Sequence, residues 1–390
     1  MKAKKFCIIA LVLVIVLLIA PISESRAEGK PEVKISGDYE YYILDDGTAC
    51  IKRYYGIDEE VIVPEKLDGI RVTGIGDYAF WGETNLKEIT INENIENIGK
   101  NPFDTCVNLT DINISVNHPT LEFIDNALIY KPEKRLVSYL RSSKESKYEI
   151  PEGIKIIGEN AFWGCDNLKE INIPDSVENI RNYAISGCEN LKEITIPDGV
   201  KFIGDGAFYD CTSLTKITIP DSVENIGINL FEECNKLLNI EISANNSTLE
   251  FVDNALIYKP EKKLVIYLST SKESKYEIPE EIEIIGDIAF YGCKNLKEIK
   301  IPDGVKLLGD KAFEGCTNLD EIKIPDNVQS IGFNAFFRCI NLKKINIPAS
   351  VKYIGEEAFK YCNILIATVA KDSYAEKYCV ENNIKYMYED

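Results

Sequence analysis

A solenoid of short stacked coils, mostly β-strand and loop, is the fold this sequence predicts, and three observations predict it. The text repeats every 23 residues: Cys165, Cys188, Cys211 and Cys234 are spaced so, and so are Cys293, Cys316, Cys339 and Cys362. Each period carries about eight apolar positions, too few to enclose a core alone, so every unit must bury its face against its neighbours in a stack. Within the period, Leu-x-x-Ile-x-Ile-Pro alternates at period two and then meets proline, which marks a short strand stopped by a residue with no N–H to donate.

Taken in chain order, the first segment reads as an export signal. Lys2, Lys4 and Lys5 precede an uncharged apolar run from Phe6 to Ala20, and Ser25-Arg26-Ala27 places small residues where a signal peptidase reads them. Cleavage is expected after Ala27. An uncleaved N-terminal membrane anchor is the alternative, but the run is short of the ~20 residues that a spanning helix needs. Losing residues 1–27 moves the formal charge from −19 to about −22. Such a field repels phosphate backbones and anionic head groups, which argues against nucleic acid and membrane surfaces as partners.

Next, residues 39–54 read YEYYILDDGTACIKRY, two alternating strands around Asp45-Asp46-Gly47, a hairpin signal. The repeats follow on the template I-P-D-x-V-x-x-I-G-x-x-A-F-x-x-C-x-x-L-x-x-I-x; residues 196–218 and 301–323 both fit it. The strand side chains line one face as parallel neighbours, and the Ile-Gly pair bends the chain back along the convex side.

This unit resembles the BspA-like, or Treponema-type, bacterial leucine-rich repeats over about residues 61–366, in about eleven units. The resemblance implies a leucine-rich-repeat horseshoe or superhelix with short parallel strands, a β-hairpin N-cap and a short helix plus strand as C-cap. The hairpin of residues 28–60 is similar to the family's N-terminal cap. Residues 367–390, which include DSYAEKYCVENNIKYM, are similar to its closing helix and strand. The family's members are usually secreted or surface proteins that adhere to host, matrix or glycan. The resemblance therefore implies a secreted or cell-surface location and a protein or glycan partner of unknown identity. A structural or self-assembling envelope protein without a specific ligand is the rival reading. No Leu-Pro-x-Thr-Gly motif follows the C-terminal cap, so surface retention is expected through the N-terminus or by non-covalent contact.

Two inserts, near 115–149 and 243–277, interrupt the period. Residues 121–140 (LEFIDNALIYKPEKRLVSYL) and 249–268 (LEFVDNALIYKPEKKLVIYL) each read as a strand, a Pro-Glu-Lys turn and a second strand, a hairpin arm on the stack. Everything from about 103 to 230 recurs about 128 residues later, a duplicated block.

Catalytic chemistry is not signalled. Nine cysteines, Cys106 with the eight above, share one template position and are expected as a column of buried free thiols. Side chains at one position of parallel coils point the same way rather than at each other. No two cysteines lie two to four residues apart as a zinc site requires, and no metal or cofactor is expected. His118, the lone histidine, has Asn246 as its counterpart in the second block, so a role in a triad is not expected. The Gly74-x-Gly76 pair belongs to the bend rather than to a dinucleotide loop. The reading is a non-enzyme.

Binding surfaces are sought where the stack does not dictate the residue. The positions flanking the second strand isoleucine point outward: Glu170, Glu193, Thr195, Lys216, Thr218, Glu298, Lys300, Glu321 and Lys323 are the candidate ligand contacts on a concave face. The same row reads equally as a solvated surface without a partner. Trp81, Trp163, Tyr209, Tyr291 and Phe337, each following the repeat aromatic, offer rings that either stack on sugars or pack over the next turn. In one unit Arg181 replaces the bend glycine and Ile185 the phenylalanine.

Overall fold

A computed structural model describes residues 32–389 of this protein. The predicted export segment, residues 1–27, lies outside the described residues.

The repeat becomes a stack of coils joined along three lines. Strands such as Glu193–Thr195, Lys216–Ile219 and Asn239–Ile242 form a first parallel ladder in which position 193 pairs with 216 and 216 with 239. Their isoleucines, Ile194, Ile217 and Ile240, are buried while the flanking residues face out, as a two-residue period demands. A second parallel ladder, where the sequence predicts a plain bend, is built from two-residue strands just before the bend-glycine position: Ile156–Ile157, Asn179–Ile180, Phe202–Ile203 and Asn225–Ile226. Along the third side, amide groups of one Ala-Phe-x-x-Cys turn donate to the next: Phe162 N to Ala184 O (2.8 Å), Phe313 N to Ala335 O (2.7 Å), Phe336 N to Ala358 O (2.7 Å). Main-chain polar groups are thus paired from coil to coil, which lets so small a unit bury its backbone.

The interior holds two columns. Phenyl rings stack from Phe290 through Phe313 and Phe336 to Phe359, with centroids 4.9–5.3 Å apart and planes within 11° of parallel. Beside them run the nine cysteines, all buried and free. Most thiols donate to the carbonyl at the repeat phenylalanine position one coil back: Cys211 to Ile185 O (3.1 Å), Cys316 to Phe290 O (3.0 Å), Cys339 to Phe313 O (3.1 Å). A small side chain with one weak donor suits a site that faces a lone carbonyl. Burial pushes the Cys106 thiol up to about 12 and that of Cys379, in the C-terminal cap, to about 11. A thiolate is the reacting species, so these sulfurs are protected twice, by access and by acidity. In a chain starting at residue 28, an Ellman titration at pH 8 is expected to find none of the eleven described thiols under native conditions and all of them in denaturant. Rapid native labelling of even two would overturn the column.

Both ends close by local chemistry. The strands Val33–Ser36, Tyr39–Ile43 and Ala49–Tyr54 form an antiparallel meander whose last member pairs parallel with Ile70–Ile75. At the other end the helix Tyr374–Glu381 starts on Ser373, whose Oγ accepts from Glu376 N at 3.1 Å, while the Glu376 carboxylate accepts from Asp372 N. The final strand Lys385–Tyr388 pairs parallel with Ile366–Val369.

The inserts differ from the expected arms in two ways. The run read as one strand is broken at Asp125-Asn126, both in the left-handed region (φ 49° and 66°), giving Leu121–Ile124 and Ala127–Tyr130 joined by a tight turn. The third strand, Arg135–Tyr139, pairs parallel with Ile156–Ile157 and so takes a place in the second ladder. Ala127, Leu128, Leu136 and Val137 are fully buried. Each insert is therefore a meander built into the stack. An Asp-Asn pair does not disturb apolar alternation, which is why the turn escaped a reading based on periodicity.

Candidate functional site

Outward side chains of the first ladder form two rows, and all nine candidate residues lie in them. Their surroundings differ. Glu170 meets Lys147 at 3.1 Å, Lys216 meets Glu241 at 2.9 Å, Glu298 meets Lys275 at 2.5 Å and Lys300 meets Glu277 at 3.4 Å. Thr218 Oγ1 donates to Glu241 at 3.4 Å. Each pair joins adjacent coils on the exposed face, where water screens it, so its effect is to set the direction of the side chains more than to hold the stack. Glu193, Thr195, Glu321 and Lys323 have no ion-pair or hydrogen-bonding side-chain partner among the described residues.

Four candidates converge. Glu298, Lys300, Glu321 and Lys323 line one groove of about 990 Å³, floored by Tyr276, Ile299 and Ile322. Five lysines and five carboxylates border it, a balanced field in a chain whose net charge is −19. The other five candidates occupy an earlier stretch of the ladder and do not share this groove. Lys275 and Glu277, which form one wall, were missed from the sequence. Their strand, Lys275–Glu277, follows the insert and carries Tyr276 where its neighbours carry isoleucine, so the template hid it. The visible signal was the exposed-buried-exposed pattern Lys-Tyr-Glu itself.

The aromatic row does not form a platform. Arg53 covers Trp81 at 5.1 Å and Arg141 covers Trp163 at 5.6 Å; Tyr209 meets Tyr183 edge-on, Phe337 meets Tyr361 edge-on, and Tyr291 Oη donates to Glu233 at 3.1 Å. Each ring is held by its own neighbouring turn, which favours the packing reading. Arg181 is exposed and Ile185 fully buried, and nothing in the structure ties that break in the pattern to a ligand.

His118 lies fully buried, not in an open loop. Its Nδ1 accepts from the amides of Thr120 (3.3 Å) and Leu121 (3.1 Å), so Nε2 carries the proton and donates to Asn92 O at 3.1 Å. Asn246 does the same work in the second block: Oδ1 accepts from Thr248 and Leu249, and Nδ2 donates to Pro220 O. Among the described residues no group of three or more His, Cys, Asp or Glu is placed to hold a metal ion, and no helix is long and apolar enough to cross a membrane.

The profile of the BspA-type leucine-rich repeat region matches residues 60–130, 138–256 and 266–386. The chain belongs to the BspA-type leucine-rich-repeat family. Two solved structures carry the likeness into three dimensions. A leucine-rich cell surface protein from Faecalibacterium prausnitzii is 26% identical, with a TM-score of 0.50 over 90% of this chain and 97% of that one. A leucine-rich repeat protein from Eubacterium ventriosum is 24% identical, with a TM-score of 0.55 over 88% and 78%, a likeness of fold. No curated protein matches. Within this BspA-type chain four of the nine candidates line the ladder groove.

Proposed function

We propose that this BspA-type protein is a non-catalytic binding protein, secreted or displayed at a bacterial surface, and that the ladder groove of the second block receives a protein or glycan partner. One observation carries the reading. The core dictates neither outward row, yet the rows of this block form a groove with balanced charge while the rest of the chain is strongly acidic. Mixed lysines and carboxylates on rigid strands present fixed donors and acceptors, the kind of surface that discriminates among polar partners. The similar Faecalibacterium prausnitzii protein is described as a cell surface protein, which supports the location.

Residues 28–390, applied to host-protein and glycan arrays, are expected to capture at least one ligand without turning it over. The pair Glu321→Lys and Lys323→Glu, chosen because neither side chain is tied into an ion pair, is expected to weaken that capture at least tenfold with an unchanged circular dichroism spectrum. Capture that ignores the double reversal would remove the groove from the reading. Silence on every array, or release of a modified ligand, would remove the reading itself.

A further inference from the structure

Residues 97–135 and 225–263 are two copies of one stretch, and two of the replacements between them change what the junction at each insert can hold. In both copies the second ladder is interrupted where the insert begins. The strands Asn97–Ile98 and Asn225–Ile226 are left with one unpaired edge each, and such an edge presents carbonyl oxygens.

In the first copy the chain supplies its own cap. The Arg135 guanidinium donates to Ile98 O at 2.8 Å and Gly99 O at 3.1 Å and sits 5.4 Å from the ring centroid of Tyr130. Its side chain is only 12% exposed. In the second copy that residue is Lys263. Tyr258 stands where Tyr130 does, its hydroxyl on Asn225 Oδ1 as Tyr130's is on Asn97 Oδ1. The lysine ammonium lies toward Glu261 at 3.9 Å, as Arg135 Nε meets Glu133 at 2.8 Å, but it carries no second arm to the carbonyls. Among the described residues no side chain donates to Ile226 O or Gly227 O.

The place of the missing guanidinium is a groove of about 420 Å³, bordered by Tyr258, Asp205, Asp287, Glu261 and Asn229. The Asn229 Oδ1 is buried without a hydrogen-bond partner, as the Asn101 Oδ1 is in the first copy. A second change removes positive charge as well: Lys100, paired with Glu159 at 2.9 Å in the first copy, becomes Ile228 beside Asp287 in the second. Three carboxylates then border the groove with Lys263 as its one cation.

We propose that this second junction is a binding site for a guanidinium group, the exposed arginine side chain of a partner protein, with Arg135 of the first copy as its internal likeness. A planar fork of donors fits two adjacent carbonyls and a carboxylate, and the Tyr258 ring offers its face to the cation. Lysine offers a compact charge that meets only part of this set. The site shares no residue with the ladder groove, so a partner could engage both, and neither depends on the other.

The test titrates the full exported chain with the peptide acetyl-Gly-Arg-Gly-amide and with its lysine and citrulline counterparts. The arginine peptide is expected to bind saturably, one per chain, and the other two at least tenfold more weakly. Lys263→Arg, which restores the arrangement of the first copy, is expected to fold as the parent does in a thermal melt and to weaken arginine-peptide binding at least tenfold. The double variant Arg135→Lys, Lys100→Ile, which gives the first copy both changes of the second, is expected to open the twin groove and raise the stoichiometry to two. Equal binding of the lysine peptide, absence of saturable binding, or Lys263→Arg binding as well as the parent would each overturn the assignment.

Discussion

Phe313→Ala is expected to cost about 3–5 kcal/mol of stability, the range for truncating a fully buried ring. Phe313 is wholly inaccessible, and it lies 5.1 Å from Phe290 and 4.9 Å from Phe336 with planes within 5°. Its loss removes the ring's own burial and both stacking contacts. It also leaves a void that neighbours pinned by coil-to-coil hydrogen bonds fill poorly. In a solenoid the stability is a sum of unit and interface contributions, so the damage falls on the coils around position 313 first. Guanidinium denaturation followed by circular dichroism is expected to split into an early loss of the second block and a later loss of the first. A single transition shifted by less than about 1 kcal/mol would contradict the ring column as a support of the stack.

His118→Ala is expected to destabilise by about 2–5 kcal/mol, since it strands two buried amide donors and the Asn92 carbonyl. His118→Asn is expected to stay within about 1 kcal/mol of the parent, because Asn246 already serves the same three kinds of group in the second block. The pH response separates the two residues further. Burial is the main cause that holds the His118 pKa below the usual imidazole value, and the Asn92 hydrogen bond opposes it. The folded state thus binds fewer protons than the unfolded chain. The His118 contribution is complete above the unfolded imidazole value of about 6.5 and is lost as pH falls toward the lower folded value. Urea melts between pH 7.5 and 5 are expected to show the parent losing stability relative to His118→Asn on acidification. A difference that stays flat over that range, or runs the other way, would show that the imidazole is not held neutral.

The duplicated blocks make the molecule its own control. Where they agree, as at His118 and Asn246, a polar residue answers a need of the backbone that either side chain can meet. Where they differ, as at Arg135 and Lys263, the fold is unchanged and a surface opening appears. The first comparison argues for structure and the second for recognition.

By itself the sequence determined the period, the solenoid, the inward thiol column and the outward direction of Glu170, Glu193, Lys216, Glu298 and their neighbours. All of these follow from alternation and from one unit's inability to bury its own face, which are properties of local spacing. Tertiary structure alone decided the rest. It built the inserts into the second ladder, enclosed His118 against Asn92, gathered four of nine candidates into one groove with the unforeseen Lys275 and Glu277, and left the edge at Ile226 and Gly227 uncapped. Each of these depends on residues brought together across coils or across an insert. A repeat tells every residue its position within a coil, but what occupies the gap between two particular coils is set by side chains far apart in the chain.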